Sequence, residues 1–598
     1  MSALPTPVDS GASNGAVSPS TASAAEPQYP DCSNWSSILR DLRKVNAPLD
    51  CAHKAGIPVP GENKAGPRLL YGCRPAASMD ELLHALPPRH LTNRMVSYYF
   101  NGLDLSSAII HGPEFLKEYD NFWKSPENIA PLWLALLYGM LCTAIQFQKA
   151  NPESSVLPGE DLDMSLNIYR DKLCQCLMFG KYTQGGPYAI PALIHYIVIE
   201  LFDKKDADDG TWLVMGLVVN IARRMRYHRD PDLIGNLSPY ESEMRRRLWR
   251  SLLVIDSALS ESVGAERLIR EFDAVREPRN LLDTDFDAST TVLPPPRPDT
   301  EPTPMLYCVA KGKSLTVFGM VTDLVSKQPC DYANVLKYDS MISESLAKMP
   351  SCYKWRPLEQ SITDSPQVIC RRMYLEIVYL KARIVLHLKF TMPQKDQDRY
   401  AFSRKTLFES VCKLLEFHHI CDEETQPSGQ LYAARWRYLT AVHQNFLLAS
   451  IAACFYLEHN KATMDKDDLE LFKRLCRRSQ GIWIRTSRSS TEAAKASEAL
   501  RVSLDETDET NTNLESSTQP ELPMPLDTPT DIWDYQCLPS YFGSFDLPFS
   551  YSNLFDGLAV PPVGPEPADN LLVMPLAGQA EIFTAPTNWS SVDHRCAQ

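Results

Sequence analysis

The sequence predicts an all-α fold, a large multi-helix body between disordered N- and C-terminal tails. Two observations predict the body. Apolar residues recur at helical spacing through most of residues 86–490, and no long stretch alternates apolar with polar residues as a half-buried strand would. The third observation is compositional, because Ser, Pro, Ala and acidic residues dominate both ends of the chain and supply too little apolar surface for a core.

Taken in order, residues 1–85 are assigned to the first tail, which is low in complexity apart from a short helix predicted over Ser36–Arg43. In the body, a short helix ending at Trp123 and a buried helix from Pro131 come first. Further helices are predicted near residues 161–180, 187–202, 210–228, 239–261, 304–326, 333–348, 366–392, 401–420, 429–459 and 466–485. The proline-rich residues 283–303 are predicted to cross the surface between two halves of the body.

The helix predicted from residue 239 has the clearest start in the chain. Ser238 is placed to cap its first turn, Pro239 takes the first helical position, and Glu241 completes a capping box. Gly264 marks its end, because glycine readily adopts the left-handed conformation that closes a helix. One face is apolar through Met244, Leu248, Leu252, Ile255 and Leu259.

Four arginines, Arg245, Arg246, Arg247 and Arg250, surround the rest of this helix, and Asp256 follows them. Arginine and aspartate form charge-assisted pairs, so one hypothesis is that Arg246 or Arg247 pairs with Asp256. The alternative interpretation is a solvated basic helix face.

The order of these residues resembles the fungal-specific transcription factor domain, the helical middle region of fungal zinc-cluster regulators. The matching positions are Ser238, Glu241, Glu243, Arg245, Arg246, Arg247, Leu248, Trp249, Asp256, Gly264, Asp273, Pro278, Asn280, Asp283 and Phe286. One departure is that Ala265 and Glu266 follow the glycine, where the family often has a proline.

An earlier stretch, residues 98–147, also resembles the family. Its matching positions are Tyr99, Phe100, His111, Pro113, Phe115, Trp123 and Pro131. His111 has no nucleophile or metal ligand near it in sequence, so we predict a turn histidine that hydrogen-bonds backbone, in preference to a catalytic base.

The resemblance covers about residues 86–490 and implies a nuclear transcription regulator whose helical body mediates regulation or a response to an effector. Its implied partners are transcription coactivators, together with a DNA-binding partner or a second copy of the chain. The motif residues, Trp249, Glu241, Asp256 and the arginines among them, are then structural residues of the helical core.

The family's usual DNA reader, a binuclear zinc cluster of six closely spaced cysteines, has no counterpart in this sequence. Cys32, Cys51 and Cys73 are too far apart, and no C-x-x-C pair occurs anywhere. Three interpretations stay open. A DNA-binding partner recognises the DNA for this chain, or a zinc-cluster exon is missing from this sequence, or the family's helical body has been reused in a different role. Direct DNA contact is therefore left open.

The C-terminal region, residues 491–598, is predicted to be a disordered activation tail. Residues 502–598 hold fifteen acidic residues and one basic residue, so they carry the entire net charge of −14. Acidic residues interleaved with aromatic ones keep the aromatic rings solvated and available to a coactivator groove. The predicted anchors are Trp533, Tyr535, Phe542, Phe545, Phe549 and Phe555. The alternative is a loose tail that docks on its own body.

No catalytic, cofactor-binding or metal site is predicted, because the phosphate-loop, dinucleotide, nucleophile-elbow and H-E-x-x-H motifs are all missing. Asp206, Asp208 and Asp209 are interpreted as helix-capping residues. The longest apolar runs, residues 131–147 and 212–219, fall short of the roughly twenty residues that span a bilayer, so no membrane association is expected.

The sequence thus predicts a transcription regulator of a fungal metabolic gene set, a class that includes regulators of secondary-metabolite clusters. The alternative function is a scaffold or inhibitor that binds no DNA and pairs with related regulators. A third, weaker possibility is a small-molecule sensor, since large helical bodies offer apolar pockets. Target genes, effector and oligomeric state are not specified by the residues.

Overall fold

The computed structural model describes residues 35–41, 66–76, 78–102, 106–150, 161–203, 206–270, 274–326, 331–392, 397–437 and 442–508. Within these ranges the fold is all-α and no strand occurs. This confirms the predicted fold class. The predicted activation tail from residue 509 onward, and Asp273 of the family motif, lie outside the described residues.

The helices of the N-terminal half are short at first and then long. They are α1 Trp35–Asp41, α2 Arg68–Tyr71, α3 Met79–His84, α4 Arg89–Gly102, α5 Ser106–Ile109, α6 Gly112–Lys124, α7 Pro131–Ala150, α8 Leu162–Phe179, α9 Ala189–Asp203, α10 Asp209–Arg224 and α11 Pro239–Val263. We call α11 the arginine helix, and residues 274–303, which follow it, the crossing segment.

The C-terminal half consists mainly of long helices. They are α12 Pro304–Ser326, α13 Tyr332–Ala347, α14 Pro366–His387, α15 Ala401–Glu424, α16 His443–Asn460, α17 Lys466–Thr486 and α18 Thr491–Asp508. Short 3-10 helices occupy Pro126–Asn128, Tyr182–Gln184, Pro231–Leu233, Ser351–Tyr353, Leu358–Gln360, Leu388–Thr391, Gln397–Tyr400, Tyr432–Arg437 and Lys461–Thr463.

Two hydrophobic cores form within this body. The first is built by α3–α11, and the second by α12–α18 together with α1. The arginine helix contributes to both, since Leu252 and Leu253 belong to the first core and Val254 to the second. It therefore lies where the two halves meet, and a change in its position would affect both cores.

Helix α7 is almost entirely buried in the first core. It is the one helix in the described part of the chain that is long and apolar enough to cross a membrane, and 89% of its apolar window is buried inside the protein. Burial on all sides is typical of the central helix of a large helical domain. We therefore assign α7 to the core.

The helical body extends beyond both predicted boundaries. In the region assigned to the N-terminal tail, α1 buries Trp35 in the second core, and Trp35 Nε1 donates a hydrogen bond of 2.9 Å to Gln444 Oε1. Beyond residue 490, α18 buries Ala496 and Leu500 in the same core. Helix α1 confirms the short helix predicted over Ser36–Arg43, whereas α18 was not predicted. The burial of both helices depends on distant partners, so periodicity alone does not reveal it.

The long helix predicted over residues 429–459 is wrong in its first part. That region holds the 3-10 helix Tyr432–Arg437, and the α-helix begins at His443. The turn before it contains Ser428 with a positive φ of 77°, so the preceding helix ends and the chain reverses direction there.

Candidate functional site: the arginine helix and the crossing segment

The arginine helix begins and ends as its sequence predicts. Ser238 Oγ accepts from the Glu241 N–H, and Glu241 Oε2 accepts from the Ser238 N–H at 2.8 Å, which together form a capping box. At the other end Gly264 has φ 69° and ψ 29°, the left-handed conformation that glycine adopts without a Cβ clash. These two ends fix which residues of the helix face inward.

Arg247 is the most completely buried arginine of the helix. Its side chain is 0% exposed and makes a buried pair with Glu243, also 0% exposed, one turn earlier. Its guanidinium also donates to Asp283 Oδ1 at 2.7 Å and to the carbonyl oxygen of Leu281 at 2.9 Å, both on the crossing segment. A planar guanidinium can serve several acceptors at once, so Arg247 fastens the crossing segment to the helix.

Glu243 extends the same connection. Its Oε1 accepts from the Arg279 N–H at 3.0 Å, in addition to Arg247. Burial raises the pKa of Glu243, and the Arg247 guanidinium opposes that rise. The ionised form of Glu243 therefore depends on Arg247 for its stabilisation.

Arg246 pairs with two carboxylates in the loop before the helix. It donates to Asp230 and Asp232 at 2.8 and 2.7 Å. Burial alone would raise the pKa of Asp230, but the hydrogen bonds from Arg246 and from the Arg276 and Asp232 N–H groups lower it to about 2. The Arg276 contact again comes from the crossing segment.

The hypothesis that Arg246 or Arg247 pairs with Asp256 is wrong. Asp256 accepts from the Leu268 and Ile269 N–H groups at 3.2 and 2.8 Å and from Ser260 Oγ at 3.2 Å. Nine or ten residues of helix separate it from the arginines, about 14 Å along the axis. Gly264 instead reverses the chain and brings residues 268 and 269 back to Asp256.

Arg245 and Arg250 complete the set. Arg245 lies over the Tyr227 ring at 4.1 Å and donates to the Met225 carbonyl oxygen. Arg250 is buried and donates to Glu277 of the crossing segment at 3.2 Å. A wholly solvated basic face is therefore also excluded, because three of the four arginines are buried and each contacts an acidic group.

The remaining motif residues hold the crossing segment itself. Asn280 Nδ2 donates to the Arg297 carbonyl oxygen at 3.0 Å, and its Oδ1 accepts from Thr303. Pro278 lies next to Arg279, the donor to Glu243, and Trp249 is buried in the first core. These are structural contacts, and the roles that the resemblance implies for the motif residues stay predictions.

His111 behaves as the turn histidine that was predicted. Its Nδ1 accepts from the Glu114 N–H, so Nε2 carries the hydrogen and donates to the Phe286 carbonyl oxygen at 2.9 Å. Burial lowers the pKa of His111 and keeps the ring neutral. It links the start of α6 to the crossing segment, 175 residues away.

Several partners escaped sequence reasoning. Asp230 and Glu277 had no signal beyond being acidic, and they become informative only once the fold places them beside Arg246 and Arg250. Lys381 of α14 is fully buried and pairs with Glu261 of the arginine helix, which joins that helix to the second core. The available signal in the sequence was a lysine within an apolar helix, because a buried lysine requires an acceptor.

A second polar cluster joins a loop of the N-terminal half to the start of α18. Asp206, His443 and Glu492 place their ligand atoms within 4.8 Å of one another, close enough to hold a metal ion. However, Asp206 accepts from Ser490 Oγ and from the Thr491 N–H and Oγ1, and Glu492 accepts from Gln444 and the Ala207 N–H. Asp206 therefore caps α18, while Asp208 caps α10 through the Thr211 N–H.

We predict that Glu492 makes stability depend on pH. Burial raises its pKa to about 7, with hydrogen bonding by Gln444 opposing the rise and ionised Asp206 adding to it. Because the folded pKa is raised, the protonated form stabilises the fold below about pH 4.5 and this contribution is lost as pH rises through about 7. We expect wild type to lose about 1–2 kcal/mol relative to Glu492→Gln between pH 5 and 8.

Urea unfolding of both proteins, followed by circular dichroism at several pH values, measures this difference. Glu498→Gln is the matched control, because Glu498 lies on the same helix and its pKa is lowered by Arg501. Parallel stability curves for wild type and Glu492→Gln would contradict the prediction.

Basic residues cluster at three places in the sequence, residues 223–229, 244–250 and 473–478, and such clusters can act in nuclear import. The second of them, Met244–Arg250, is not available for import. Arg246, Arg247 and Arg250 are buried in the folded protein. In the first cluster, Arg223 and Arg224 donate to the carbonyl oxygens of Leu268 and Thr183.

The sequence was compared with family models, curated proteins and solved structures. Residues 96–278 match the fungal specific transcription factor domain, a range that ends at Pro278 of the crossing segment. No solved structure matches the chain.

The similar curated proteins are regulators. The chain is 37% identical over 494 residues to the fusarisetin A cluster transcription factor of Fusarium sp. (strain FN080326), covering 80% of this chain and 66% of that protein. It is equally identical to the equisetin cluster transcription factor of Fusarium heterosporum, covering 71% of that protein. A Zn(2)-C6 fungal-type transcription factor of Macrophomina phaseolina is 34% identical over 515 residues, with 83% of this chain and 69% of that protein covered.

Proposed function

Because the chain belongs to the family of transcription factors with the fungal-specific domain, we propose that it controls a gene set for secondary-metabolite biosynthesis. The observation that carries this proposal is 37% identity over 494 residues to two regulators named for such clusters. The identity includes most of the helical body, so the buried arginine network belongs to the shared region. We propose a nuclear location and a regulatory, non-catalytic role.

In this proposal the helical body is the regulatory element and the C-terminal tail is the activating one. Four side chains of the arginine helix and the loop before it hold the crossing segment: Asp230, Glu243, Arg247 and Arg250. The arginine helix contributes to both cores, so we expect the position of the crossing segment to respond to the packing of both. Coactivators are the proposed partners of the tail, which carries the net negative charge of the chain.

We propose that DNA is recognised through a DNA-binding partner of the same family. The sequence holds no C-x-x-C pair, whereas the relative from Macrophomina phaseolina is named for its Zn(2)-C6 type. DNA binding by the purified chain, titrated against salt with zinc measured on the same sample, tests this. Weak, sequence-blind binding without zinc supports it, and tight sequence-selective binding overturns it.

We predict that residues 505–558 activate transcription when they are tethered to a heterologous DNA-binding domain. Replacing Trp533, Tyr535, Phe542, Phe545, Phe549 and Phe555 by alanine should reduce reporter output to that of the DNA-binding domain alone, because the apolar anchors are lost. The matched control replaces six hydroxyl residues of the same segment by alanine, Thr528, Thr530, Ser540, Ser544, Ser550 and Ser552. Equal output from both variants would contradict the role of the aromatic residues.

Deleting the gene and measuring transcripts of biosynthetic clusters in the same cells tests the function as a whole. Loss of one cluster's transcripts supports an activator. A rise in those transcripts, together with a silent tail in the reporter assay, supports the alternative of an inhibitor that pairs with related regulators.

A further inference from the structure

A cleft of about 790 Å³ lies between the crossing segment and helices α12 and α13. Its volume is within the range of small-molecule sites in proteins, which are roughly 300–1,000 Å³. The crossing segment forms one wall through residues 275–280, Pro296 and Asp299, and residue Tyr379 of α14 reaches the floor. Pro278 and Asn280 of the motif belong to this wall.

The floor of the cleft is apolar and is made by ordered core side chains. Leu306, Ala310 and Val317 of α12 are at most 9% exposed, as are Met349 and Tyr379. Tyr379 Oη and Ser345 Oγ share a hydrogen bond of 2.9 Å, so the hydroxyl groups there satisfy each other. An apolar ligand body would find a surface that needs little rearrangement.

The polar side of the cleft is cationic. Its lining includes Arg250, Arg276, Arg279, Lys313 and Lys348, against the acidic residues Glu277, Asp299 and Glu344. Glu277 alone serves two of these cations, accepting from Arg250 at 3.2 Å and lying 3.1 Å from Lys313 Nζ. An anionic group entering here would share Arg250 and Lys313 with Glu277, which leaves a positive surplus to bind it.

The wall is pre-organised by the arginine network. Arg279 donates through its side chain to the carbonyl oxygens of Leu293 and Pro294 and through its N–H to Glu243. The Asn280 side chain donates to the Arg297 carbonyl oxygen and so connects two parts of the crossing segment. The cleft therefore exists without a ligand, and a ligand in it would contact the segment that the arginine helix holds.

From this geometry we infer that the cleft is a binding site for an amphipathic organic anion, a ligand with an apolar body and one carboxylate-like acidic group. The apolar body lies on α12 and Tyr379, and the acidic group lies between Arg250 and Lys313. Only one part of this inference rests on the proposed regulatory function, namely that the ligand is an effector of the regulator. The binding itself is a property of the folded body.

The probe for the experiment is decanoate, compared with decanol, which has the same apolar chain without the charge. Binding to the purified full chain is measured by calorimetry. Decanoate should bind at one site per chain and at least fivefold more tightly than decanol. Lys313→Glu, which reverses a charge that is 59% exposed at the rim, should weaken decanoate at least fivefold and leave decanol unchanged.

Two further variants separate the cleft from the rest of the surface. Val309→Trp fills the cleft from a half-buried position and should abolish binding of both probes, with circular dichroism confirming an intact fold. Lys405→Glu makes the same charge change on the exposed face of α15 and should bind decanoate as wild type does. Absent binding, or equal weakening by Lys313→Glu and Lys405→Glu, overturns the inference. Neither result alters the transcript changes expected on gene deletion, so failure of this inference is distinguishable from failure of the proposed function.

Discussion

Replacing Arg247 by alanine is expected to destabilise the folded body by about 3–5 kcal/mol, because it leaves a buried carboxylate without its cation. Glu243 is 0% exposed and its Oε2 has no hydrogen-bond partner among the described residues, so its charge depends on the Arg247 guanidinium. Asp283 and the Leu281 carbonyl oxygen lose a donor at the same time. The crossing segment should then detach locally before the protein unfolds as a whole.

The measurement is urea unfolding of the full chain followed by circular dichroism, together with limited proteolysis of residues 274–303. Arg270→Ala is the matched control, since Arg270 pairs with Glu266 on the surface and its loss should cost less than about 0.5 kcal/mol. We expect early cleavage in the crossing segment for Arg247→Ala alone. Equal stability of the two variants would show that the buried pair contributes nothing.

A double variant separates loss of the pair from loss of packing. Arg247→Met with Glu243→Gln removes both charges while keeping much of the buried volume. We expect it to be more stable than Arg247→Met alone, because replacing both members of a buried pair avoids the uncompensated charge.

The parts of the fold that sequence reasoning captured are those encoded locally. Ser238, Glu241 and Gly264 define the arginine helix from within a few residues of its ends, and the capping box and left-handed turn follow from backbone chemistry alone. His111 was interpretable for the same reason, since its Nδ1 caps the helix that begins next to it.

The parts that escaped are those that depend on distant partners. A sequence shows that Arg246 and Arg247 need acceptors, but it does not show which of many carboxylates the fold brings near. Asp256 was the nearest acidic residue that follows them in the motif, whereas Glu243, Asp230 and Asp283 are the acceptors in the structure. The same limit applies to α1, which was predicted as a short helix but whose burial was not, because Trp35 contacts a residue 409 positions away.

The second large effect is expected at Asp256, whose replacement by alanine should cost about 2–4 kcal/mol. The cause is that the part-buried N–H group of Leu268 and the buried N–H group of Ile269 lose their acceptor. Glu266→Ala is the control, an exposed carboxylate close to the same turn. Asp256→Ala unfolding as wild type does would contradict the prediction.

The double-mutant cycle of Asp256 with Arg247 then decides between the two arrangements of charge. If the arginine paired with Asp256, the two replacements would be coupled, and the double variant would cost much less than the sum. In the structure they share no partner and lie about 14 Å apart along the helix, so their costs should add within about 0.5 kcal/mol. Additivity would mean that the arginines hold the crossing segment while Asp256 independently holds the turn at Gly264. The family motif would then describe two separate attachments of one helix.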